Sequence, residues 1–265
     1  MLSHCHYQLK EMIMQTLLNA LKEFKLSGMA STLNERMIYA RNNKLGYQEF
    51  LLLLCEDERN MRRDNNYKRR YKAAKLPANK TIESFDFSFQ PSIDQKLVND
   101  LSICQFIQDQ ENVVLIGDSG TGKTHLAISL AHLALLKEYK VYYTTVADML
   151  YHLHIAKADN SYHKKLKALV EYDLLILDEL GFKQLPKYAA DDFFNVIAKR
   201  YEHKATIITT NKDVSQWEEI FGDELLTKAI IDRVMHHAHI LHIKGRSYRL
   251  NKFSKNPLNL EENMP

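Results

Sequence analysis

The chain has 265 residues, of which 45% are hydrophobic and 26% charged. That is long enough for a sizeable core and excludes a disordered, fibrous or membrane-embedded protein. The net charge of +3 is unevenly placed: residues 1–80 hold 15 Lys and Arg against 8 Asp and Glu, while the remainder holds 21 against 25, so the front of the chain is expected to meet a polyanion.

Three scattered cysteines, Cys5, Cys55 and Cys104, form no C-x-x-C and fit a reducing compartment. The longest apolar run, Phe50 to Cys55, is far too short to span a bilayer, and the start lacks a secretory apolar region. A cytoplasmic protein without membrane contact is expected.

Leu9, Ile13, Leu17 and Leu21 recur every four residues and predict an amphipathic helix, with Gly28 as its break. A second helix is expected from Ser31 to Arg41, and a third from Gly46 to Lys75, ended by Pro77. Residues 1–78 therefore read as a small helical domain for DNA or partner binding. Within residues 59–80, nine cations face Asp64 alone, and Tyr67 and Tyr71 lie one turn apart. Arg62, Arg63, Lys68, Arg69, Arg70 and Lys72 are the candidate DNA contacts. A solvated helix face is the competing reading.

Residues 79–92 read as a linker. Phe85, Phe87 and Phe89 alternate, so they are expected on one face of an extended segment, packed onto the next domain or helping to form an adenine pocket. Residues 93–265 form the second domain, opening with a helix from Ile93 through Leu97, Leu101, Cys104 and Ile107. Val113 to Ile116 is a buried strand. It leads into Gly117-Asp118-Ser119-Gly120-Thr121-Gly122-Lys123-Thr124, which fits the P-loop pattern G-x-x-x-x-G-K-[ST], and then into an apolar helix that starts near Lys123. The glycines let backbone N–H groups approach a phosphate, and the helix N-terminus favours the same anion. Lys123 is expected on the β- and γ-phosphates of ATP, and Thr124 on Mg²⁺. Gly117 through His125 are the candidate nucleotide-binding residues.

Further strands are expected at Lys140–Thr145, Tyr172–Glu179, Ala205–Asn211 and Ala238–Ile243, with helices between them. That alternation means an α/β fold with a parallel sheet covered on both faces. Leu174 to Glu179 matches a Walker B strand: Asp178 would complete the Mg²⁺ shell, and Glu179 would polarise the attacking water. Asn211, a polar tip on an apolar strand, resembles the sensor 1 residue of AAA+ ATPases; a helix cap is the alternative. Arg233, in Ala229 to Val234, matches the position of an AAA+ arginine finger; a surface pair with Asp232 is the alternative. His236, His237, His239 and His242 cluster, but their spacing does not supply the convergence a zinc site needs. Gly245-Arg246-Ser247-Tyr248-Arg249 follows the last strand. The 16 residues after Arg249 leave room only for a reduced lid, with Arg246 or Arg249 as candidate sensor 2 residues.

The P-loop run through Ala127, the Leu-Leu-Ile-Leu-Asp-Glu-Leu-Gly-Phe segment, Ile-Ile-Asp-Arg-Val-Met-His-His and Gly-Arg-Ser-Tyr-Arg together resemble the IstB transposition helper ATPases, DnaC-related AAA+ proteins encoded beside an IstA transposase. The basic front helices, Lys75-Leu76-Pro77 and Lys80 to Phe87 are similar to that family too, so the resemblance covers nearly the whole chain. It implies an AAA+ P-loop core behind a small helical domain, and ATP-dependent assembly on double-stranded DNA. It also implies a decameric or similar homo-oligomer, and recruitment and stimulation of an IstA-like transposase. A DnaC-type replicative helicase loader is the main rival. A small-molecule kinase is disfavoured by Asp178-Glu179, since a kinase must suppress attack by water; an adaptor with a relict site is disfavoured by intact Lys123 and Thr124.

Overall fold

The computed structural model of the chain describes residues 2–182 and 185–250. It divides into two compact units, Met1–Arg69 and Arg70–Pro265.

The first unit is built from α1 (Leu2–Glu23), α2 (Ser27–Asn42) and most of α3 (Tyr47–Ala74). Gly28, expected as a helix break, instead lies in the first turn of α2. The break falls just before it, where Lys25 takes φ +57° and Leu26 N–H reaches back to Leu21 O at 2.8 Å, a Schellman-type stop. The glycine is needed for a different reason. A Cβ at residue 28 would sit 2.6 Å from Glu58 Cα and 2.8 Å from Asp57 O, so α2 and α3 touch backbone to backbone there. The contact lets the buried Glu58 carboxylate accept from Gly28 N–H at 2.7 Å and Met29 N–H at 3.3 Å, satisfying orphan donors of the α2 N-terminus. Burial alone would raise the Glu58 pKa. The hydrogen bonds from Arg62, Met29 and Gly28 outweigh it and hold the carboxyl below its usual value. Arg36 adds a two-pronged pair to Asp57 at 2.6 and 2.7 Å. The stripe that marks α1 is not buried: Leu9, Ile13 and Leu17 remain exposed, as do Tyr47, Leu51 and Leu52 at the start of α3.

In the second unit, the helix expected over residues 93–107 is two pieces, α4 (Gln95–Ser102) and α5 (Gln105–Gln108), because Cys104 adopts φ +61° between them. Then follow β1 (Asn112–Gly117), α6 (Lys123–Leu136), β2 (Val141–Thr145), α7 (Val146–Ala158), α8 (Tyr162–Glu171) and β3 (Leu174–Leu180). The chain continues through α9 (Lys187–Arg200), β4 (Ala205–Thr210), α10 (Trp217–Phe221), α11 (Glu224–Met235) and β5 (Ala238–Ile243). A 3₁₀ turn, Val214–Gln216, and α10 were not foreseen; an Asp213–Gln216 capping box starts them. The sheet is parallel throughout, in the order β2-β3-β4-β1-β5, so β1 and β3 flank β4 and all five carboxyl ends share one edge. Apolar residues surround α6 on almost every side, as befits a helix packed within the core. Arg200, 1% exposed, donates to the carbonyls of Leu169, Tyr172 and Ala205 and to Thr206 Oγ1, tying the amino ends of β3 and β4 together. Burial pushes its pKa down to about 9, so it is still a cation at neutral pH. Among the described residues no helix is long and apolar enough to cross a membrane.

The α2–α3 contact generates a stability test. Gly28→Ala must push two backbones apart, an overpacking cost of about 1–3 kcal/mol. Urea unfolding is expected to show that loss, and Ala at the exposed Gly46, where the nearest atom to a Cβ is the end of the Glu49 side chain at 3.7 Å, is expected to show none.

Candidate active site

The P-loop rises from β1 and falls into α6. Gly120 and Gly122 take φ +82° and +105°, a region open to glycine but strained for other residues. Lys123 Nζ donates to the carbonyls of Gly117 at 2.6 Å and Asp118 at 2.7 Å. Burial pushes the Lys123 pKa down; the Asp178 and Asp118 carboxylates work against it. Thr121 is buried and donates to Asp118 O at 2.8 Å, pinning the loop from inside.

Asp178, 2% exposed, ends the buried run of β3 and is surrounded by hydroxyls. Thr124 Oγ1 donates to its carboxylate at 2.9 Å, and Tyr143 O–H, from β2, at 2.5 Å. Thr209 Oγ1, from β4, makes a third, short bond. Burial, reinforced by the bond to Asp178, pushes the Tyr143 phenol up, so it stays a proton donor at physiological pH. Glu179 has φ +64° and sits at a bulge: Leu177 pairs with Ile208 and Leu180 with Thr210, so Asp178 and Glu179 together face the single residue Thr209. In a regular strand two successive side chains point to opposite faces. Here both residues line one cavity, and both carboxylates act electrostatically on Lys123.

That cavity has a volume of about 730 Å³ and lies at the carboxyl edge of the sheet, within the range of small-ligand sites. Gly120 to His125, Tyr143, Asp178 and Glu179 form its floor. Residues 77–80, 84–86 and 89–90, with Tyr248 and Arg249, form its walls. The segment expected to be extended over residues 79–92 is a series of turns, because its own side chains compete for its backbone: Ser84 Oγ donates to Thr81 O at 2.8 Å, and Phe89 N–H donates to Asp86 Oδ1 at 3.1 Å. Phe85, Phe87 and Phe89 are still half-buried, as is Ile82. The Phe85 ring lies where a Cβ on Gly122 would go, 2.6 Å from it, and meets His125 edge-on. His125 Nε2 contacts Thr81 O at 3.0 Å and Ser84 Oγ at 3.2 Å. On the other wall, Tyr248 N–H donates to Gly120 O at 3.0 Å, and Gln90 Nε2 donates to Arg246 O at 2.9 Å. Arg249 lines the cavity and is close enough to act electrostatically on Lys123, whereas Arg246 is not among the lining residues.

The remaining candidates lie elsewhere. Asn211 is exposed, one residue past β4, and does not line the cavity. Arg233 is on α11, donating to Ala229 O at 2.9 Å and lying 5.0 Å over the Phe194 ring; among the described residues no ion pair joins it to Asp232. Glu202, His236 and His237, all exposed, bring one ligand atom each within 4.8 Å of one another, a convergence that spacing alone did not suggest. Of the basic stretch, Arg62 pairs with Glu58 and Arg70 with Glu138. Arg63, Lys68, Arg69 and Lys72 are exposed and make no ion pair among the described residues. Residues 251–265, where a reduced lid would fall, lie outside the described residues. Tyr143 and Thr209 were missed from sequence, since both reach Asp178 only through strand pairing.

Comparison with known proteins agrees with this geometry. The family model described as IstB-like ATP binding protein matches residues 19–256. The chain is 41% identical to the insertion sequence IS5376 putative ATP-binding protein of Geobacillus stearothermophilus, over 80% of this chain and 84% of that one. It is 40% identical to the IS21 putative ATP-binding protein of Pseudomonas aeruginosa, over 91% and 90%. AMPPCP-bound DnaA from Aquifex aeolicus shares the fold with a TM-score of 0.53 at 19% identity, covering 71% of this chain and 59% of that one. The P-loop, the acidic end of β3 and the parallel sheet thus belong to an AAA+ ATPase, and the chain is a member of the IstB-like ATP binding protein family of insertion sequences.

Proposed function

We propose that the protein is an ATP-driven assembly factor for transposition. It binds and hydrolyses ATP, assembles with copies of itself on double-stranded DNA, and there recruits and stimulates an IstA-like transposase. The observation that carries the reading is the meeting of Lys123, Thr124, Asp178 and Glu179 around one cavity at the carboxyl edge of the sheet. Family membership and the insertion-sequence names of the relatives support it.

In this reading the glycine-rich turn and the N-terminus of α6 receive the triphosphate, and the half-buried Lys123 ammonium answers its charge. Thr124 and Asp178 offer only hard oxygen donors 2.9 Å apart, a set that suits Mg²⁺. Bound there, the ion supplies Lewis-acid charge to the phosphate oxygens. Glu179, exposed to the cavity, orients the attacking water and accepts its proton. Arg249, in the same cavity wall, adds a second cation in cis. Asn211 and Arg233 stand outside the cavity. Arg233 would then serve a neighbouring protomer's phosphoryl group. The exposed apolar side chains of α1 and α3 supply surface that self-assembly would bury. The exposed cations Arg63, Lys68, Arg69 and Lys72 supply the phosphate contacts.

Two outcomes test this reading. Glu179→Gln is expected to bind ATP normally, to lose about 10²–10⁴-fold in turnover, and to accumulate as oligomers on duplex DNA in sedimentation; wild-type turnover would remove Glu179 from the chemistry. Replacing Arg63, Lys68, Arg69 and Lys72 by Glu is expected to weaken duplex binding and to flatten the plot of log affinity against log salt by about 0.9 per lost phosphate contact. An unchanged slope would take α3 out of the DNA interface.

A further inference from the structure

The hydrolytic pair at the end of β3 is not held by β3 alone. Asp178 and Glu179 occupy a bulge opposite Thr209, a residue 1% exposed in the middle of the sheet. A bulge leaves a backbone group without its ladder partner, and here Thr209 makes up the loss. Its Oγ1 accepts from Glu179 N–H at 3.0 Å and donates to Asp178 Oδ1. One hydroxyl thus joins the backbone of one acid to the side chain of the other. It also supports a costly conformation, since Glu179 carries φ +64°, a region that strains a side-chain-bearing residue. Residues kept in such regions persist only where surrounding contacts over-determine them.

We infer that Thr209 is a positioning residue for hydrolysis: its hydroxyl stabilises the bulge that turns the Glu179 carboxylate into the cavity that Asp178 lines. The inference rests on the assignment of Glu179 to the attacking water and adds what aims it. Thr209 lies outside the cavity lining, so it acts through the two acids and touches no nucleotide. Asp178 keeps two other hydroxyl donors, Thr124 and Tyr143, whereas the Glu179 N–H has Thr209 as its acceptor. Loss of the hydroxyl should therefore disturb Glu179 more than the nucleotide grip.

The test compares Thr209→Val, which keeps the shape and removes the hydroxyl, with Thr209→Ser, which keeps the hydroxyl. Each is measured for ATP affinity by equilibrium titration and for kcat under saturating ATP. Thr209→Val is expected to hold its Kd within about twofold of wild type while kcat falls about 10–10²-fold, the usual cost of a misplaced catalytic group. Thr209→Ser is expected to recover most of the turnover. In a Glu179→Gln background, adding Thr209→Val is expected to cost nothing further, because the two changes disable one unit. Should the Val variant not fold, Thr209→Ala exposes the same two unpaired groups and is read in the same way. Wild-type kcat in the Val variant overturns the inference. So does a parallel loss of affinity and turnover, which would make Thr209 a support of the binding site only, and so does a full additional loss in the Gln background. Wild-type turnover of Glu179→Gln alone is a separate failure, of the acid's own assignment.

Discussion

A buried carboxylate sets the terms for the ATPase unit. Asp178 is almost wholly removed from water, and a buried charge left unpaired would cost several kcal/mol. Three hydroxyls offset that cost, and each comes from a different element: Tyr143 from β2, Thr124 from the first turn of α6, and Thr209 from β4. Hydrogen bonds to a charged group contribute about 1.5–3 kcal/mol each. The P-loop helix, the two strands flanking β3 and β3 itself must therefore converge for the acid to be tolerable. The cavity follows from that convergence, since the strand order places all of these ends on one edge.

The walls of the cavity obey a second constraint. The P-loop needs glycine dihedrals at residues 120 and 122, and bare glycine leaves space that other residues occupy. Phe85 lies over Gly122, and Ser247 Oγ stands 2.2 Å from where a Cβ of Gly120 would be. Two segments far apart in sequence, residues 77–92 and 244–249, thus close on the loop from either side. Gln90 to Arg246 O and Ser92 Oγ to Lys244 O tie them to each other. The phosphate loop is thereby coupled to the segment that follows β5, which also places Arg249 in the cavity wall.

Much of this was legible in the sequence, for physical reasons. The P-loop and the acidic strand end are contiguous runs that match known sequence patterns, and the alternation of apolar strands and helices dictates a parallel sheet. What was hidden depends on partners distant along the chain. Gly28 looks like punctuation until Glu58 is seen packed against it. Thr209 looks like an ordinary strand residue until the bulge opposite it is known. The phenylalanine alternation over Phe85–Phe89 predicted an extended strip, but Ser84 and Asp86 bond their own backbone and fold it into turns. Local side-chain hydrogen bonding there overrode the period-two pattern, while the pattern of half-buried rings survived.

The most direct test is an equilibrium titration of a fluorescent ATP analogue, with and without Mg²⁺, into wild-type protein, Lys123→Ala and Asp178→Asn. If the cavity between the P-loop and β3 grips the triphosphate, wild type binds and Mg²⁺ tightens the complex. Asp178→Asn then loses the tightening, and Lys123→Ala weakens binding by about 10²-fold or more, near 2.8 kcal/mol. Wild-type affinity in Lys123→Ala would contradict the assignment of this cavity to the nucleotide.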